Sequence, residues 1–109
     1  MRIDFKALET KVLFDFKGGE KELRMRAFEG SGAKLMRSTL LPGASIGTHT
    51  HTGNCEIFYI ISGTGICICD GVEERMEPGI CLFCPDGHTH SLVNNGMENL
   101  EFFAAIVEQ

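Results

Sequence analysis

The chain has 109 residues, enough for a single hydrophobic core, and we expect one domain spanning residues 1–109. Its net charge is −5 and its basic residues form no run, which argues against binding to nucleic acid or to an anionic membrane surface. No apolar stretch approaches the roughly 18 residues that span a bilayer. Residues 1–10 carry scattered charges and no apolar segment, so we predict a cytoplasmic protein without a signal peptide.

Glycine and apolar patterning predict an all-β fold. Most of the thirteen glycines lie between short apolar runs, as turns between strands do. At the amino terminus, Phe5, Leu8 and Val12 have helical spacing behind Asp4, a possible helix cap. The first strands are predicted at residues 12–16, 22–28 and 33–41, separated by turns at residues 17–20 and 29–32.

The stretch 43–63 concentrates residues that can bind a metal. His49 and His51 are two apart, so on a strand both imidazoles leave the same face. Residues 52–54 are Thr-Gly-Asn, a turn-forming sequence that can fold the chain back and bring Glu56 round to the histidines. Nitrogen and carboxylate ligands suit a borderline divalent metal, although a His-x-His pair on a solvent-facing strand remains the alternative at this point.

The facing of the next strand follows from Glu56. If its carboxylate points inward, Phe58 and Ile60 should line the interior as well, because side chains alternate along a strand. Ile57, Tyr59 and Ile61 should then face outward. Further strands are predicted at residues 63–70, 72–76, 80–84, 90–93 and 100–107, with a hairpin turn at Asp70-Gly71.

A second motif occupies residues 79–94. It consists of an apolar strand, a Pro-x-Gly turn and a further histidine, His90. The stretches 43–63 and 79–94 together resemble the paired motifs of the cupin superfamily. The first follows G-x5-H-x-H-x4-E-x6-G without a gap, and the second follows G-x5-P-x-G-x2-H-x3-N. One position departs from the pattern, because Ile80 stands where cupins often carry an acidic residue.

The resemblance implies a fold and a ligand set. The fold is a small antiparallel jelly-roll β-barrel. The implied metal ligands are His49, His51, Glu56 and His90. They leave positions open for water or substrate and suit Fe, Mn, Co, Ni, Cu or Zn without selecting among them. His88 fits no ligand position, so it is predicted to be either a turn histidine or a catalytic general acid or base.

Two functions follow from this interpretation. The first is a metal-dependent enzyme, of oxygenase or isomerase type, acting on a small metabolite. The second is a non-catalytic module that binds or senses a small ligand through the same metal, since the fold cannot select a reaction. Residues that could clamp an anionic ligand are Arg24, Arg26, Lys34 and Arg37.

The five cysteines are predicted to be reduced and dispensable for binding at the histidine site. Most of them sit among apolar residues, where cysteine commonly packs as a small hydrophobe. The alternative is a zinc site of the form C-x-C plus C-x2-C, built from Cys67, Cys69, Cys81 and Cys84.

A homodimer is predicted as well. A chain of this length buries a modest fraction of its surface, and the outward side chains of strand 56–62 are too apolar to remain in water. Single-barrel cupins commonly pair sheet against sheet, with an amino-terminal strand reaching across, a part that residues 12–16 could take. The alternative is that the amino-terminal hairpin of the same chain covers this apolar stripe.

Overall fold

A computed structural model describes all residues, 1–109, and consists almost entirely of antiparallel strands. Ten strands follow in order: β1 (Lys11–Phe14), β2 (Glu22–Gly30), β3 (Ala33–Leu40), β4 (Ser45–Thr50), β5 (Asn54–Ser62), β6 (Gly65–Cys69), β7 (Val72–Met76), β8 (Cys81–Cys84), β9 (Thr89–Val93) and β10 (Leu100–Glu108). The predicted all-β fold is therefore confirmed, and most predicted strands lie within two residues of the observed ones.

The strands form two sheets that face each other. A six-stranded sheet has the order β1-β2-β3-β10-β5-β8, and a four-stranded sheet has the order β4-β9-β6-β7. This arrangement is a jelly roll in which the two sheets stay separate and do not close into one hydrogen-bonded barrel. The core between them includes Leu23, Met25, Met36, Leu40, Ile46, Phe58, Ile60, Leu92 and Phe102.

The amino-terminal helical pattern proves to be only a single turn. Asp4 accepts a hydrogen bond from the backbone N–H of Lys6, as expected of a cap, but the 3-10 turn covers only Phe5–Ala7. Val12 pairs with Arg24 inside β1 instead of continuing a helix. A helix of so few residues cannot repay its nucleation cost, whereas strand pairing supplies several hydrogen bonds at once.

The backbone of the loop between β1 and β2, at residues 17–19, is in direct contact with the backbone of β4 at residues 45–47. A Cβ atom built on Gly19 would lie 2.1 Å from the Ser45 carbonyl oxygen, and one built on Gly47 would lie 2.0 Å from that of Lys17. Only glycine at both positions allows these two backbones to touch. The contact holds Lys17, whose φ is +56°, beside the strand that carries His49.

Asn94, the last residue of the second motif, joins three segments. Its side chain is fully buried, and its Nδ2 atom donates to the carbonyls of Leu40 and Glu98, each at 2.8 Å. Its Oδ1 atom accepts from the backbone N–H of Gly96 at 3.0 Å. This position of the motif therefore fixes a turn and has no part in the metal-ligand set.

No helix in the structure is long and apolar enough to cross a membrane.

Candidate metal centre

Four side chains converge between the two sheets, and we call them the His/Glu cluster: His49, His51, Glu56 and His90. His49 lies on β4 directly opposite His90 on β9, and the register between these strands shifts just before His49. His51 follows the end of β4, where its backbone bonds to His88 and Gly87 of the second motif. The two motifs thus meet through main-chain contacts, and the predicted ligands are brought together.

The spacing within the cluster suits a metal. The Nε2 atom of His90 lies 2.9 Å from Glu56 Oε1, 3.0 Å from His51 Nε2 and 3.1 Å from His49 Nε2. Two ligands at right angles about a metal with bonds of about 2.1 Å are separated by about 3.0 Å. The ligand atoms therefore already stand close to the separations that an ion would require, and the residues fit the metal that the motif resemblance implies.

The outer nitrogens of two rings are tied down by hydrogen bonds. His49 Nδ1 donates to the Gly47 carbonyl at 2.8 Å, and His51 Nδ1 donates to Asn54 Oδ1 at 2.5 Å. In the neutral imidazoles this places both Nε2 lone pairs inward, towards the Glu56 carboxylate. Three electron-rich atoms then face one another, an arrangement that a bound cation would stabilise.

Electrostatics keep the carboxylate ionised. Burial alone would raise the pKa of Glu56, but hydrogen bonds with His49 and His90, together with the charges of His90 and His51, lower it to about 2. The hydrogen bond with Glu56 raises the pKa of His49, and burial opposes this shift only in part. The Glu56 carboxylate is therefore ionised, as a metal ligand must be.

The buried wall of the cluster is aromatic. The His90 ring stacks on Phe58, with centroids 4.8 Å apart and planes 5° from parallel. Phe58 meets Phe102 edge to face at 5.4 Å. As predicted, Glu56, Phe58 and Ile60 point inward and are buried. This packing holds the His90 imidazole in one orientation.

A cavity of about 310 Å³ opens beside the cluster. Its lining is divided between three of the four cluster residues (all except His90), two lysines (Lys17 and Lys34) and apolar residues that include Met25, Met36, Ile46 and Phe102. The site thus offers positive charge near an apolar wall. Of the basic residues predicted as an anion clamp, only Lys34 lines this cavity, and it also pairs with Glu29 at 3.5 Å. Arg24, Arg26 and Arg37 lie outside the lining and bond to Glu22, Thr10 and Glu101.

His88 is not brought to the cluster. Its Nδ1 atom donates to Asp70 Oδ2 at 2.6 Å, and about half of its side chain is exposed. Asp70 also accepts from the backbone N–H of Thr89 at 3.1 Å. The ring is therefore held by an exposed hydrogen bond outside the cavity lining, and its catalytic role stays a prediction.

Asn54 and Lys17 were not identified as site residues from the sequence. The sequence places Asn54 in a turn, although its position three residues after His51 is a spacing from which an amide can reach back to a ring. The sequence places Lys17 in a turn as well, and its approach to the site depends on the backbone contact at Gly19 and Gly47. No pattern along the chain signals that contact.

The cysteines divide between the two faces of the sheets. All five are free, and Cys67 and Cys84 are buried whereas Cys81 is exposed. Cys81 pairs with Tyr59 and faces outward with it, so the proposed set of four cysteines does not assemble. Cys67 and Cys69 remain together, with their sulfurs 3.8 Å apart.

Comparison with known families and proteins gives a consistent result. Residues 36–106 match the family model described as the cupin domain. An oxalate-binding protein of Thermotoga maritima is 33% identical over 99 residues, which cover 85% of this chain and 82% of the relative. A germin-like protein of Morus alba is 32% identical over 81 residues, or 70% of this chain and 39% of that protein.

Solved structures agree in fold. A predicted oxalate decarboxylase from Thermotoga maritima superposes with a TM-score of 0.94 at 30% identity, with both chains fully covered. A cupin domain from Schizosaccharomyces pombe superposes with a TM-score of 0.81 at 14% identity, covering all of this chain and 74% of the other. The second likeness is one of fold alone.

Proposed function

The chain belongs to the cupin family, and from this premise we propose that it binds a divalent metal at the His/Glu cluster and holds a small carboxylate ligand there. The observation that carries the proposal is the convergence of three imidazoles and the Glu56 carboxylate, with His90 Nε2 at 2.9–3.1 Å from the other three ligand atoms. When bound, the metal supplies a Lewis acid for the oxygens of the ligand. Its identity stays open among the transition metals that take nitrogen and oxygen ligands.

The ligand class is supported by the cavity and by a relative. A volume of about 310 Å³ lies at the lower end of the range for ligand pockets, about 300–1,000 Å³, so the ligand is small. Lys17 lines this cavity and supplies positive charge that favours an anion, and Lys34, which pairs with Glu29, lines it as well. The Thermotoga maritima relative is named an oxalate-binding protein, and oxalate is the first ligand to test.

Oxalate is expected to bind the metal-loaded protein, and to bind much more weakly after the metal is removed with a chelator. Replacing Lys17 by Gln should weaken binding about tenfold or more, because charge-assisted hydrogen bonds are worth about 1.5–3 kcal/mol. Lys11→Gln on the exposed edge strand β1 is the matched control and should bind like the native protein. Titration calorimetry measures all of these. Equal affinity with and without metal would contradict the proposal.

A catalytic role is the second candidate, and the observation that favours it is the superposition on a predicted oxalate decarboxylase along the whole chain. The same calorimetric samples separate the two functions. An enzyme of that kind converts oxalate and a proton into formate and carbon dioxide, whereas a binding module returns oxalate unchanged. Oxygen uptake by the iron-loaded protein with catechols, thiols and keto acids tests the oxygenase alternative, and His88→Ala tests the predicted general acid or base.

We also propose a homodimer that pairs through the outer face of the six-stranded sheet. Tyr59 and Ile61 are 45% and 43% exposed there, and neighbouring Phe83 is 57% exposed. The amino-terminal hairpin does not cover them, because β1 and β2 lie at the far edge of the same sheet, separated from β5 by β3 and β10. An apolar aromatic face of this kind is typical of a subunit interface.

The native protein is therefore expected to sediment as a dimer at micromolar concentration. Tyr59→Glu should weaken association by more than about 2 kcal/mol, because it places a charge in the centre of the apolar face. Val72→Glu, an exposed apolar position on the other sheet, is the matched control and should leave the dimer intact. A native monomer would refute the dimer, and a Tyr59→Glu dimer would move the interface elsewhere.

A further inference from the structure

One ring nitrogen of His90 has no partner. The side chain is fully buried, and its Nδ1 atom makes no hydrogen bond. Buried polar groups are nearly always paired, because an unpaired one forfeits its hydration without compensation. The opposite ring nitrogen, Nε2, already lies in the His/Glu cluster. The unpaired Nδ1 atom therefore indicates that a ligand binds on the side of the His90 ring that faces away from the His/Glu cluster.

Two thiols lie on that edge. Cys69 on β6 stands directly opposite His90 on β9, and Cys67 is two residues further along the same face. The two sulfurs and a ring nitrogen of His90 lie within 4.8 Å of one another. Because Nε2 belongs to the cluster, Nδ1 is the nitrogen available to the sulfurs. Cys67 is fully buried and Cys69 partly so, which makes this a second, separate group of potential ligands.

The separation of the sulfurs is that of metal ligands. Cys67 Sγ and Cys69 Sγ are 3.8 Å apart, and two sulfurs at the tetrahedral angle with bonds of about 2.3 Å are separated by about 3.8 Å. Two thiolates and one imidazole are a donor set for a thiophilic ion of tetrahedral preference, zinc above all. Asp and Glu, which favour harder ions, are absent from the group.

We propose that Cys67, Cys69 and His90 form a second metal site, specific for zinc or a comparably thiophilic ion, on the far side of the His90 ring from the cluster. Both thiols would lose their protons on binding, the lone pair of Nδ1 would supply the third ligand, and a fourth position would be left for solvent. With both sites filled, His90 would also give up its one ring proton and would offer one nitrogen to each ion. This site uses two of the four cysteines that the sequence offered as zinc ligands, together with a histidine that the sequence did not associate with them.

Cobalt(II) is the probe, because thiolate ligands give it a charge-transfer band in the near ultraviolet that nitrogen and oxygen ligands do not. Reduced, metal-free native protein should show this band and should bind a second cobalt ion per chain. Cys67→Ala and Cys69→Ala together should abolish the band. His49→Ala, which damages only the cluster, should keep it, and so should Cys81→Ala, a substitution of an exposed cysteine that faces away from the site.

A second variant covers the case in which the double substitution does not fold. Cys69→Ser changes one atom at a partly exposed position and should weaken the second cobalt ion at least tenfold, as read from the same band. Zinc should compete the band away in the native protein. Absence of the band from the native protein, or its persistence in Cys69→Ser at unchanged affinity, would overturn the proposal.

Discussion

Replacing His51 by Ala is expected to remove most of the metal bound at the His/Glu cluster. His51 lies 2.9 Å from Glu56 and 3.0 Å from His90, so its loss opens one side of the site. Substitutions of residues that merely support a ligand cost about 10–100-fold in affinity, and removing the ligand itself should cost more than about 100-fold. Metal content after dialysis, measured by elemental analysis, checks this.

Two further variants define the site. His88→Ala should retain nearly all the metal, because that ring pairs with Asp70 outside the cavity. His90→Ala should lose the metal as His51→Ala does, and it should also lose the cobalt–thiolate band, since its ring is common to both groups. Full metal occupancy after the loss of both His51 and His90 would refute the ligand assignment.

The fold could be predicted because turns are chemically conspicuous. Pro and Gly mark the ends of nearly every strand, and the hairpin turn at Asp70-Gly71 lies between β6 and β7 as expected. The alternation of residues also predicts which side chains face the core. On β2, Leu23 and Met25 are buried, whereas Arg24 and Arg26 on the opposite face are not. Only the amino-terminal pattern misled, because helical spacing over so few residues does not outweigh strand pairing.

The sequence predicts the metal ligands of the site, but it does not predict the residues that surround and orient them. Strand periodicity and a turn bring Glu56 to the first two histidines, but the approach of His90 followed from the family resemblance, since pairing between distant strands leaves no local signal. The positions of these other residues depend on contacts that only the folded structure shows. Lys17 reaches the cavity because glycine at positions 19 and 47 allows a loop to contact β4. Asn54 orients His51 through a single side-chain bond.

Sequence spacing also could not reveal which cysteines share a surface. The four cysteines in 67–84 look like one set along the chain, but Cys81 points outward while Cys67 and Cys84 are buried. The residue that lies opposite Cys69 in the sheet is His90, although the two are twenty-one positions apart in sequence. Such a pair becomes visible only when strand register is known.

The metal affinity of the His/Glu cluster is expected to fall as the pH is lowered from about 7 to about 5, the range in which ordinary histidines gain a proton. A bound imidazole must be neutral, so each ring that is protonated in the free protein weakens binding by up to tenfold per pH unit. The hydrogen bond with Glu56 raises the pKa of His49, burial opposing it, so competition by protons begins at a higher pH than for an unperturbed histidine.

The carboxylate does not contribute to this loss. With its pKa lowered to about 2, Glu56 stays ionised throughout the range, so the whole pH dependence belongs to the imidazoles. Competition with a chelator of known affinity at a series of pH values measures the effect, and Glu56→Gln provides the internal test. That variant binds metal more weakly, but it loses the hydrogen bond that raises the pKa of His49, so its decline should begin at a lower pH. An affinity that does not change between about pH 5 and 7 would show that the imidazoles are not the ligands.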